Sequence, residues 1–421
     1  MKRNDEFMKE QKLKSNILYL GIVQIVSYGA PLLTFPYLTR VLGVDGFGDY
    51  SFSLAIMAYF VLFVNFGFDS SATVEINKKI ENKENVAKIL TSIYLLKIFF
   101  CIVCVGVILI IGFLNIIDVN LFKLLIYSVP LLFGTAISSV YIFQSYGFVK
   151  EMSVIEVICR LCSVPFIFIF VNSEPDAYLA CFIQSISVFV SGLISVLFLR
   201  KKNIVNKLYF SKKEIVNSAR SGYMLFKLSC ATSLYTNSIP VLIGVMSNTA
   251  NVGLYNVANT IRNIIYNILK VIFRALFPKI TSMVYSGKVD EAKKLLRKVF
   301  CTLIPLVLLG VFIIFYFSEE IISIVSGREF IHATTILRLL SIVLLISVIN
   351  NFYGMQTLVP FGFQNEFSNA VVVASITSII AIVPLIFIWG AIGGGVGVIF
   401  CELFVFVLLF KIHRNKSLNV F

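Results

Sequence analysis

Long apolar segments run through almost the whole chain, and each is close to the length that crosses a bilayer. About twelve can be placed, each near the ~20 residues with which a helix spans ~30 Å of hydrocarbon. The chain is 58% hydrophobic and only 14% charged, which excludes an ordinary soluble domain. Because hydrocarbon offers no hydrogen bonds to the backbone, such segments cross as helices. The sequence therefore predicts an all-α, polytopic membrane protein. The predicted spans cover residues 16–37, 49–68, 89–112, 121–143, 153–172, 178–199, 222–246, 254–276, 297–317, 333–357, 369–388 and 391–411.

The charges of the loops predict the orientation of these spans. If the N-terminus is cytoplasmic, the loops on that side carry most of the lysine and arginine, whereas the opposite side holds only Arg40, Lys123 and Arg328. Basic loops stay in the cytoplasm, so we expect both termini there and an even number of spans. The net charge of +14 follows from these loops and does not indicate nucleic acid as a partner. We expect the first apolar segment to be retained rather than cleaved as a signal peptide.

The two halves of the chain resemble each other. Gly48 and Tyr50, for example, recur as Gly253 and Tyr255, at an offset of about half the chain. Chance similarity between apolar sequences is one interpretation, and an internal repeat is the other. A repeat predicts two six-helix lobes in the same orientation, as in transporters built from parallel repeats. The predicted boundaries are 1–199 for the N-terminal lobe, 200–221 for a basic cytoplasmic linker and 222–421 for the C-terminal lobe.

The eighth span carries a polar stripe on one side. Its members follow the spacing i, i+3, i+4, i+7, i+8 and i+11, which is one face of a helix. They are Asn259, Arg262, Asn263, Tyr266, Asn267 and Lys270. A cation near the bilayer centre costs at least about 2.5–3.5 kcal/mol and normally faces a partner or a watery cavity. The stripe therefore predicts a cavity that receives an anionic group, although Lys270 is near enough to the span's end to reach the interface instead.

A second polar series ends the tenth span, and the last span carries one acidic residue, Glu402. Two interpretations of the series stay open. Its side chains line the same cavity as the stripe, or they form hydrogen bonds between helices. The series consists of Asn350, Asn351, Tyr353, Gln356 and Thr357.

Four further charged residues lie within or at the ends of the first six spans. Lys97 and Arg160 are deep, and we include both with the stripe as candidate substrate-binding residues. Glu156 lies one turn before Arg160 on the same helical face, which favours a structural ion pair. The alternative is a coupling site in which Glu156 accepts a proton or a cation. Asp69 is a second coupling candidate, unless it only caps the inner end of its span.

Two Cys-X-X-Cys sequences and a glycine series have the spacing of functional motifs. Cys101/Cys104 and Cys159/Cys162 lie in apolar segments without histidine or acidic residues in register, which favours buried cores over metal sites. The glycines of 393–397 lie between two spans, where glycine permits close helix packing rather than nucleotide binding. We therefore expect neither a metal nor a cofactor.

Two segments resemble the N-terminal signature of a known family. They are FPYLTRVLGVDGFGDYSFSLA at 35–55 and FGFDSSATVEI at 66–76. Both are similar to the Wzx O-antigen flippases, polysaccharide transporters of the multidrug/oligosaccharidyl-lipid/polysaccharide exporter superfamily. Arg40, Asp69 and Glu75 match the motif, whereas Val74 stands where the family commonly has arginine. The resemblance extends to chain length, spans and basic loops, and it implies a two-lobed, MATE-like fold.

The resemblance also implies a function. A member of this family would move oligosaccharide linked to undecaprenyl diphosphate from the cytoplasmic to the periplasmic face of the bacterial plasma membrane, by alternating access. Membrane lipid is a further expected partner. Coupling to a proton or sodium ion, and association with a polysaccharide polymerase, are further expectations. No enzymatic activity is expected.

Two other classes of protein fit the sequence less well. A drug–cation antiporter of the same superfamily needs acidic residues deep in its lumen, whereas this chain has more deep bases than acids. A membrane-embedded polymerase or glycosyltransferase needs a catalytic loop outside the bilayer. The longest outer segment, at about 318–333, is too short for this and lacks a His/Asp/Glu constellation.

The predicted orientation can be tested by cysteine labelling in a cysteine-depleted variant. Because the basic segment 200–221 is expected in the cytoplasm, Ser211→Cys should resist a membrane-impermeant maleimide in intact cells and react after permeabilisation. Glu320→Cys, expected outside, serves as the control and should react in intact cells. Labelling of Ser211→Cys in intact cells would contradict the orientation.

Overall fold

The computed structural model describes the backbone of residues 2–79, 83–202, 204, 209–416, 418 and 420. The side chains of residues 2–32, 83, 228, 231, 232 and 234–236 lie outside this description. Helices make up nearly all of the described backbone, and no strand occurs in it. The prediction of an all-α fold is therefore confirmed.

The chain divides into two compact units, and the first is Met1–Cys230. It contains a short 3₁₀ helix, Glu174–Asp176, and most of α9. Its α-helices are α1 (Lys2–Asn65), α2 (Phe68–Lys79), α3 (Lys83–Phe113), α4 (Val119–Tyr127), α5 (Val129–Ile137), α6 (Val140–Ser145), α7 (Val149–Phe170), α8 (Ala177–Lys201) and α9 (Lys212–Thr236).

The second unit is Ala231–Phe421. The division falls inside α9 rather than in the basic segment 200–221, and the predicted lobe boundaries stay a prediction. A 3₁₀ helix, Arg328–Phe330, and a π-helical turn, Gly354–Leu358, flank α14. The α-helices of this unit are α10 (Ser238–Met246), α11 (Thr249–Tyr285), α12 (Val289–Tyr316), α13 (Ser318–Ser326), α14 (Ala333–Tyr353) and α15 (Gln364–Asn415).

Eight helices in the described ranges are long and apolar enough to cross a membrane, so the chain is a multi-pass membrane protein. Two of these segments, Leu33–Lys79 with 47 residues and Gln364–Asn415 with 52, exceed twice the ~20 residues of one crossing. The polar stripe of α11 lowers its hydropathy, and α11 is not among the eight. The exact count of twelve crossings therefore stays a prediction.

The two longest helices each contain one glycine with non-helical backbone angles. Gly43 in α1 has φ 63° and ψ −171°, and Gly390 in α15 has φ 53° and ψ −127°. Residues other than glycine rarely adopt these backbone angles, because their Cβ atom collides with the backbone. Each glycine thus ends one helix and starts the next without an intervening loop.

Glycine also brings the two halves of α15 close together beside this break. A Cβ atom at Gly393 would lie 1.9 Å from the carbonyl oxygen of Leu385. Only a residue without a side chain fits such a contact. The predicted use of the glycine series for close packing therefore agrees with the geometry.

The first Cys-X-X-Cys sequence lies in an apolar core of the N-terminal unit. Cys101 and Cys104 are buried in a cluster that includes Met57 and Leu132. In the second sequence the first cysteine is buried, but Cys162 is exposed. The core interpretation therefore holds for the first pair and is wrong for Cys162.

The backbone angles of Gly43 predict a stability effect. Gly43→Ala should lower the apparent melting temperature of the purified protein in detergent, because alanine at these angles costs on the order of 1–3 kcal/mol. Gly106→Ala in α3 is the matched control, since no atom lies within 4 Å of the position a Cβ would take there. The control should leave the melting temperature unchanged or raise it. Equal melting temperatures for both variants would contradict the argument.

Candidate functional site

The C-terminal unit contains a polar cavity of about 470 Å³. Residues of α10, α11, α14 and α15 form its walls. Five of the six residues of the predicted stripe line it: Asn259, Arg262, Asn263, Tyr266 and Lys270. The sixth, Asn267, accepts a hydrogen bond from Lys270 Nζ at 3.1 Å. The structure therefore brings the stripe together along one wall.

Apolar residues of α11 differ in burial. Ile261, Leu269 and Phe273 are buried, whereas Ile268, Val271 and Ile272 are exposed. The helix begins at an N-cap, Asn248, whose side chain accepts a hydrogen bond from the Asn251 backbone N–H. This cap satisfies one of the free N–H groups of the first turn. The cap fixes where α11 begins, and the polar stripe is the side of α11 that lines the cavity.

Arg262 has two donor groups engaged and one unpaired. Its Nη2 donates to Ser347 Oγ at 3.1 Å and its Nη1 donates to Asn259 Oδ1 at 3.4 Å. Its Nε–H is buried and has no hydrogen-bond partner among the described residues. A guanidinium carries five N–H donors in a planar fork, so Arg262 keeps donor capacity for an oxyanion.

A buried carboxylate lies in the same cavity wall. Glu402 is only 8% exposed. Its Oε1 accepts from Ser347 Oγ at 2.9 Å, and its Oε2 accepts from Asn350 Nδ2 at 2.6 Å. Sequence reasoning missed this arrangement, since Glu402 stands more than 50 positions from both donors. The only local signal was the polar series at the end of the tenth span, of which Asn350 and Asn351 do line the cavity.

Tyr266 lies beside both cations of the cavity. Its ring centroid is 5.0 Å from Lys270 Nζ and 5.9 Å from Arg262 Cζ. At these distances the ring face attracts each cation. The cavity lining thus combines two positive groups with aromatic rings and several amides.

The N-terminal unit contains a second polar cavity, of about 250 Å³. Arg160 lines it with Thr34, Ser163, Gln184 and Ser187. These neighbours are neutral hydrogen-bonding groups, so Arg160 is the positive group of this cavity wall. The structure thus places Arg160 in a cavity, as predicted for a substrate-binding residue, although in a different unit from Arg262.

The predicted structural ion pair between Glu156 and Arg160 is not formed. Both residues are exposed, and the ion pairs of the described residues do not include them. Residues at i and i+4 share a helical face, but Arg160 lies against the polar cavity and needs no carboxylate there. The expectation of a buried pair was therefore wrong.

Lys97 lies in an enclosed cluster of the N-terminal unit. Its side chain is fully buried and its Nζ is 3.0 Å from Asp69 Oδ1. The same Nζ donates to Asn65 Oδ1 at 3.2 Å, and it lies 5.4 Å from the Tyr141 ring centroid. Lys97 lines neither of the two polar cavities. This geometry favours a structural ion pair between Lys97 and Asp69 over contact of Lys97 with substrate. Asp69 is therefore engaged by Lys97.

The described residues include no group of three or more His, Cys, Asp or Glu that could hold a metal ion. The oxygens and amides of the two cavities, with their arginines and lysine, suit an organic anion with polar substituents better than a cation.

Comparison with known proteins identifies the family. Residues 13–284 match the family described as "Polysaccharide biosynthesis protein". A protein of Escherichia coli (strain K12) named "Putative O-antigen transporter" is 31% identical over 412 residues, which covers 97% of this chain and 98% of that protein. The chain belongs to the polysaccharide biosynthesis protein family. This confirms the Wzx-type resemblance of the two N-terminal segments and the expectation of a transporter rather than an enzyme.

Solved structures show the fold of this family member. A "Lipid II flippase MurJ, inward closed conformation" matches with a TM-score of 0.70 at 15% identity, over 94% of this chain and 86% of that one. A multidrug resistance MATE family transporter of the MOP superfamily, in an inward-facing conformation, matches with a TM-score of 0.68 at 15% identity, over 94% and 98%. The predicted MATE-like fold is therefore confirmed.

In this polysaccharide biosynthesis family member, the second signature segment forms a tight junction between α1 and α2. Phe66 and Gly67 both have positive φ angles, 42° and 74°. The Phe66 ring stacks on the rings of Phe100 and Phe226, with 4.6 Å between the ring centroids in each pair. A Cβ atom at Gly67 would lie 2.7 Å from the Gly222 carbonyl oxygen. The motif thus brings the junction between α1 and α2 against α9.

The charged motif residues differ in burial. Arg40 is exposed in α1, Glu75 is half-buried in α2, and Asp69 is paired with Lys97. Val74, at the position where the family commonly has arginine, is 54% exposed. An arginine is therefore not needed at this position to neutralise a buried charge.

The Lys97–Asp69 pair predicts unequal effects of two substitutions. Asp69→Asn should strongly lower the apparent melting temperature, because it leaves a fully buried ammonium without a counter-ion; breaking a buried pair typically costs about 3–5 kcal/mol. Lys97→Met should cost less, because the Asp69 carboxylate keeps 37% of its side-chain surface exposed and can be hydrated.

The double variant Asp69→Asn/Lys97→Met should recover much of the stability lost in Asp69→Asn, as a thermal melt of the purified protein would measure. Glu156→Gln is the control and should melt like the wild type, since Glu156 forms none of the described ion pairs. A wild-type melting temperature for Asp69→Asn would disprove the structural role of the pair.

Proposed function

We propose that this protein carries oligosaccharide linked to undecaprenyl diphosphate from the cytoplasmic to the periplasmic face of the bacterial plasma membrane, by alternating access. The observation that carries the proposal is the cavity of the C-terminal unit, in which Arg262 keeps an unpaired donor beside Lys270. The names of the similar proteins support it, since one is named "Putative O-antigen transporter" and another is a lipid II flippase.

The cavity has the groups that a sugar diphosphate requires. The planar guanidinium of Arg262 binds phosphate oxygens in a bidentate manner, and the ammonium of Lys270 supplies a compact point charge. Asn259, Asn263 and Tyr266 offer hydrogen bonds and a ring face for the sugars. Arg160, in the N-terminal unit, is a candidate for the same chemistry in its own cavity.

The physical need for such a cavity follows from the substrate. The lipid tail can stay in the bilayer, whereas the diphosphate and the sugars lose water that hydrocarbon does not replace. A protein cavity with charged and polar groups replaces that water. An inside-negative membrane potential favours outward movement of the anion, by about 2.3 kcal/mol per charge per 100 mV.

A drug–cation antiporter is the main alternative, because one structural neighbour is a multidrug MATE transporter. The charges of the cavity argue against it. Arg262 and Lys270 face one carboxylate, Glu402, so the charged groups of the lining are positive in sum. An organic cation would meet net repulsion there.

Coupling, topology and partners are parts of the same proposal. Glu156 is exposed and outside the described ion pairs, so it is the better coupling candidate, whereas Asp69 is held by Lys97. We further propose that both termini are cytoplasmic and that a proton or sodium gradient supports the return of the empty carrier. A polysaccharide polymerase is the proposed protein partner.

The substrate role of Arg262 is tested by export of surface polysaccharide. Arg262→Ala should reduce export by roughly tenfold or more, because a charge-assisted hydrogen bond contributes on the order of 1.5–3 kcal/mol. Arg262→Lys should retain part of the export, since it keeps the charge but loses the planar fork.

Arg274→Ala is the matched control, because Arg274 lies on the same helix but outside the cavity lining. This variant should export normally. Normal export by Arg262→Ala, at wild-type abundance in the membrane, would show that Arg262 does not contact the substrate.

A further inference from the structure

Glu402 is a buried carboxylate that the proposed function does not use. It lies in the same cavity wall as Arg262, and α15 holds it at 8% exposure. Ser347 and Asn350 of α14 each donate one hydrogen bond to its carboxylate oxygens. Removing a carboxylate from water is costly unless a positive group and hydrogen bonds compensate it. Arg262 is a positive group that lines the same cavity.

One hydroxyl group separates Glu402 from Arg262. Ser347 Oγ accepts from Arg262 Nη2 at 3.1 Å and donates to Glu402 Oε1 at 2.9 Å. The nitrogen and the carboxylate oxygen are therefore no further apart than the sum of these distances. Away from bulk water, opposite charges at this separation attract each other strongly. Arg262 is thus partly neutralised before any anion enters the cavity.

We propose that Glu402 is the internal counter-ion of Arg262 and sets how tightly the cavity holds an organic diphosphate. The inference rests on the proposed function. A diphosphate that pairs with Arg262 comes close to the like charge of Glu402, and this repulsion weakens its binding. A transport site must bind strongly enough to load and weakly enough to release. Glu402 acts through Arg262 and does not touch the substrate.

The chain allows a substitution that removes the charge and keeps the shape. In Glu402→Gln, the amide oxygen can still accept from Asn350 Nδ2, which also keeps its 2.9 Å hydrogen bond to the backbone oxygen of residue 402. The new NH₂ group can donate to Ser347 Oγ. Glu402→Asp keeps the charge. Glu366→Gln is the matched control on the same helix, because Glu366 pairs with Lys416 at 3.1 Å and does not line the cavity.

Binding of farnesyl diphosphate to the purified full-length protein in nanodiscs tests the proposal. Glu402→Gln should bind roughly three- to tenfold more tightly than the wild type, because the repelling charge is gone. Glu402→Asp and Glu366→Gln should bind within about twofold of the wild type. Unchanged or weaker binding by Glu402→Gln, at a wild-type melting temperature, would overturn the proposal.

Transport kinetics give a second readout that a merely structural role would not produce. In proteoliposomes with a fluorescent polyprenyl-diphosphate sugar, Glu402→Gln should lower KM and also lower the turnover rate, because release is slower. A variant that raises KM while it lowers turnover would instead show a structural role and overturn the proposal.

Two outcomes separate this inference from the proposed function. If Arg262→Ala binds farnesyl diphosphate as tightly as the wild type, the proposed substrate site is wrong and the inference falls with it. If Arg262→Ala binds weakly but Glu402→Gln does not bind more tightly, only the counter-ion inference is wrong.

If Glu402→Gln does not fold, Ser347→Ala tests the counter-ion role of Glu402 instead. This variant keeps both charges and removes only the bridging hydroxyl. Affinity within about threefold of the wild type supports an effect of charge. A loss as large as that of Arg262→Ala would show that the hydrogen bond from Ser347 holds Arg262 in place, and would overturn the proposal.

Discussion

A charge removed from water needs another partner, and the deep charges of this chain find theirs in two different ways. Lys97 is enclosed with a carboxylate 3.0 Å away and an amide oxygen 3.2 Å away. Among the described residues, Arg262 is linked to Glu402 through the hydroxyl of Ser347, and its Nε–H has no hydrogen-bond partner. The first arrangement stabilises the packing of α1, α2 and α3. The second leaves a cation able to accept another ligand, and the candidate site depends on this difference.

The sequence predicted the helices and one wall of the cavity, because both follow from local periodicity. The stripe from Asn259 to Lys270 lies on one helix, so a spacing rule places its side chains on one face. The carboxylate of Glu402, which lines the same cavity, could not be predicted in the same way. Glu402 and Ser347 belong to different helices, and no rule on sequence spacing brings them together.

The predictions that failed all concern what surrounds a helix face. The spacing of Glu156 and Arg160 places them on one face but does not say whether that face is buried, and the structure shows both exposed. The apolar setting of Cys162 likewise suggested a core position, yet the residue is exposed. Within a membrane span, apolar neighbours in the sequence indicate lipid as readily as protein. Burial therefore has to come from the structure.

The breaks at Gly43 and Gly390 constrain how chains of this kind can vary. Each joins two helices without a loop, so no loop residues are present there that could accommodate an inserted residue. An insertion at either position would rotate everything that follows by about 100° per residue, given 3.6 residues per turn, and turn apolar faces away from their partners. Epitope tags and natural length changes are therefore better tolerated at exposed connections such as residues 114–118, where the chain leaves α3 before α4 begins.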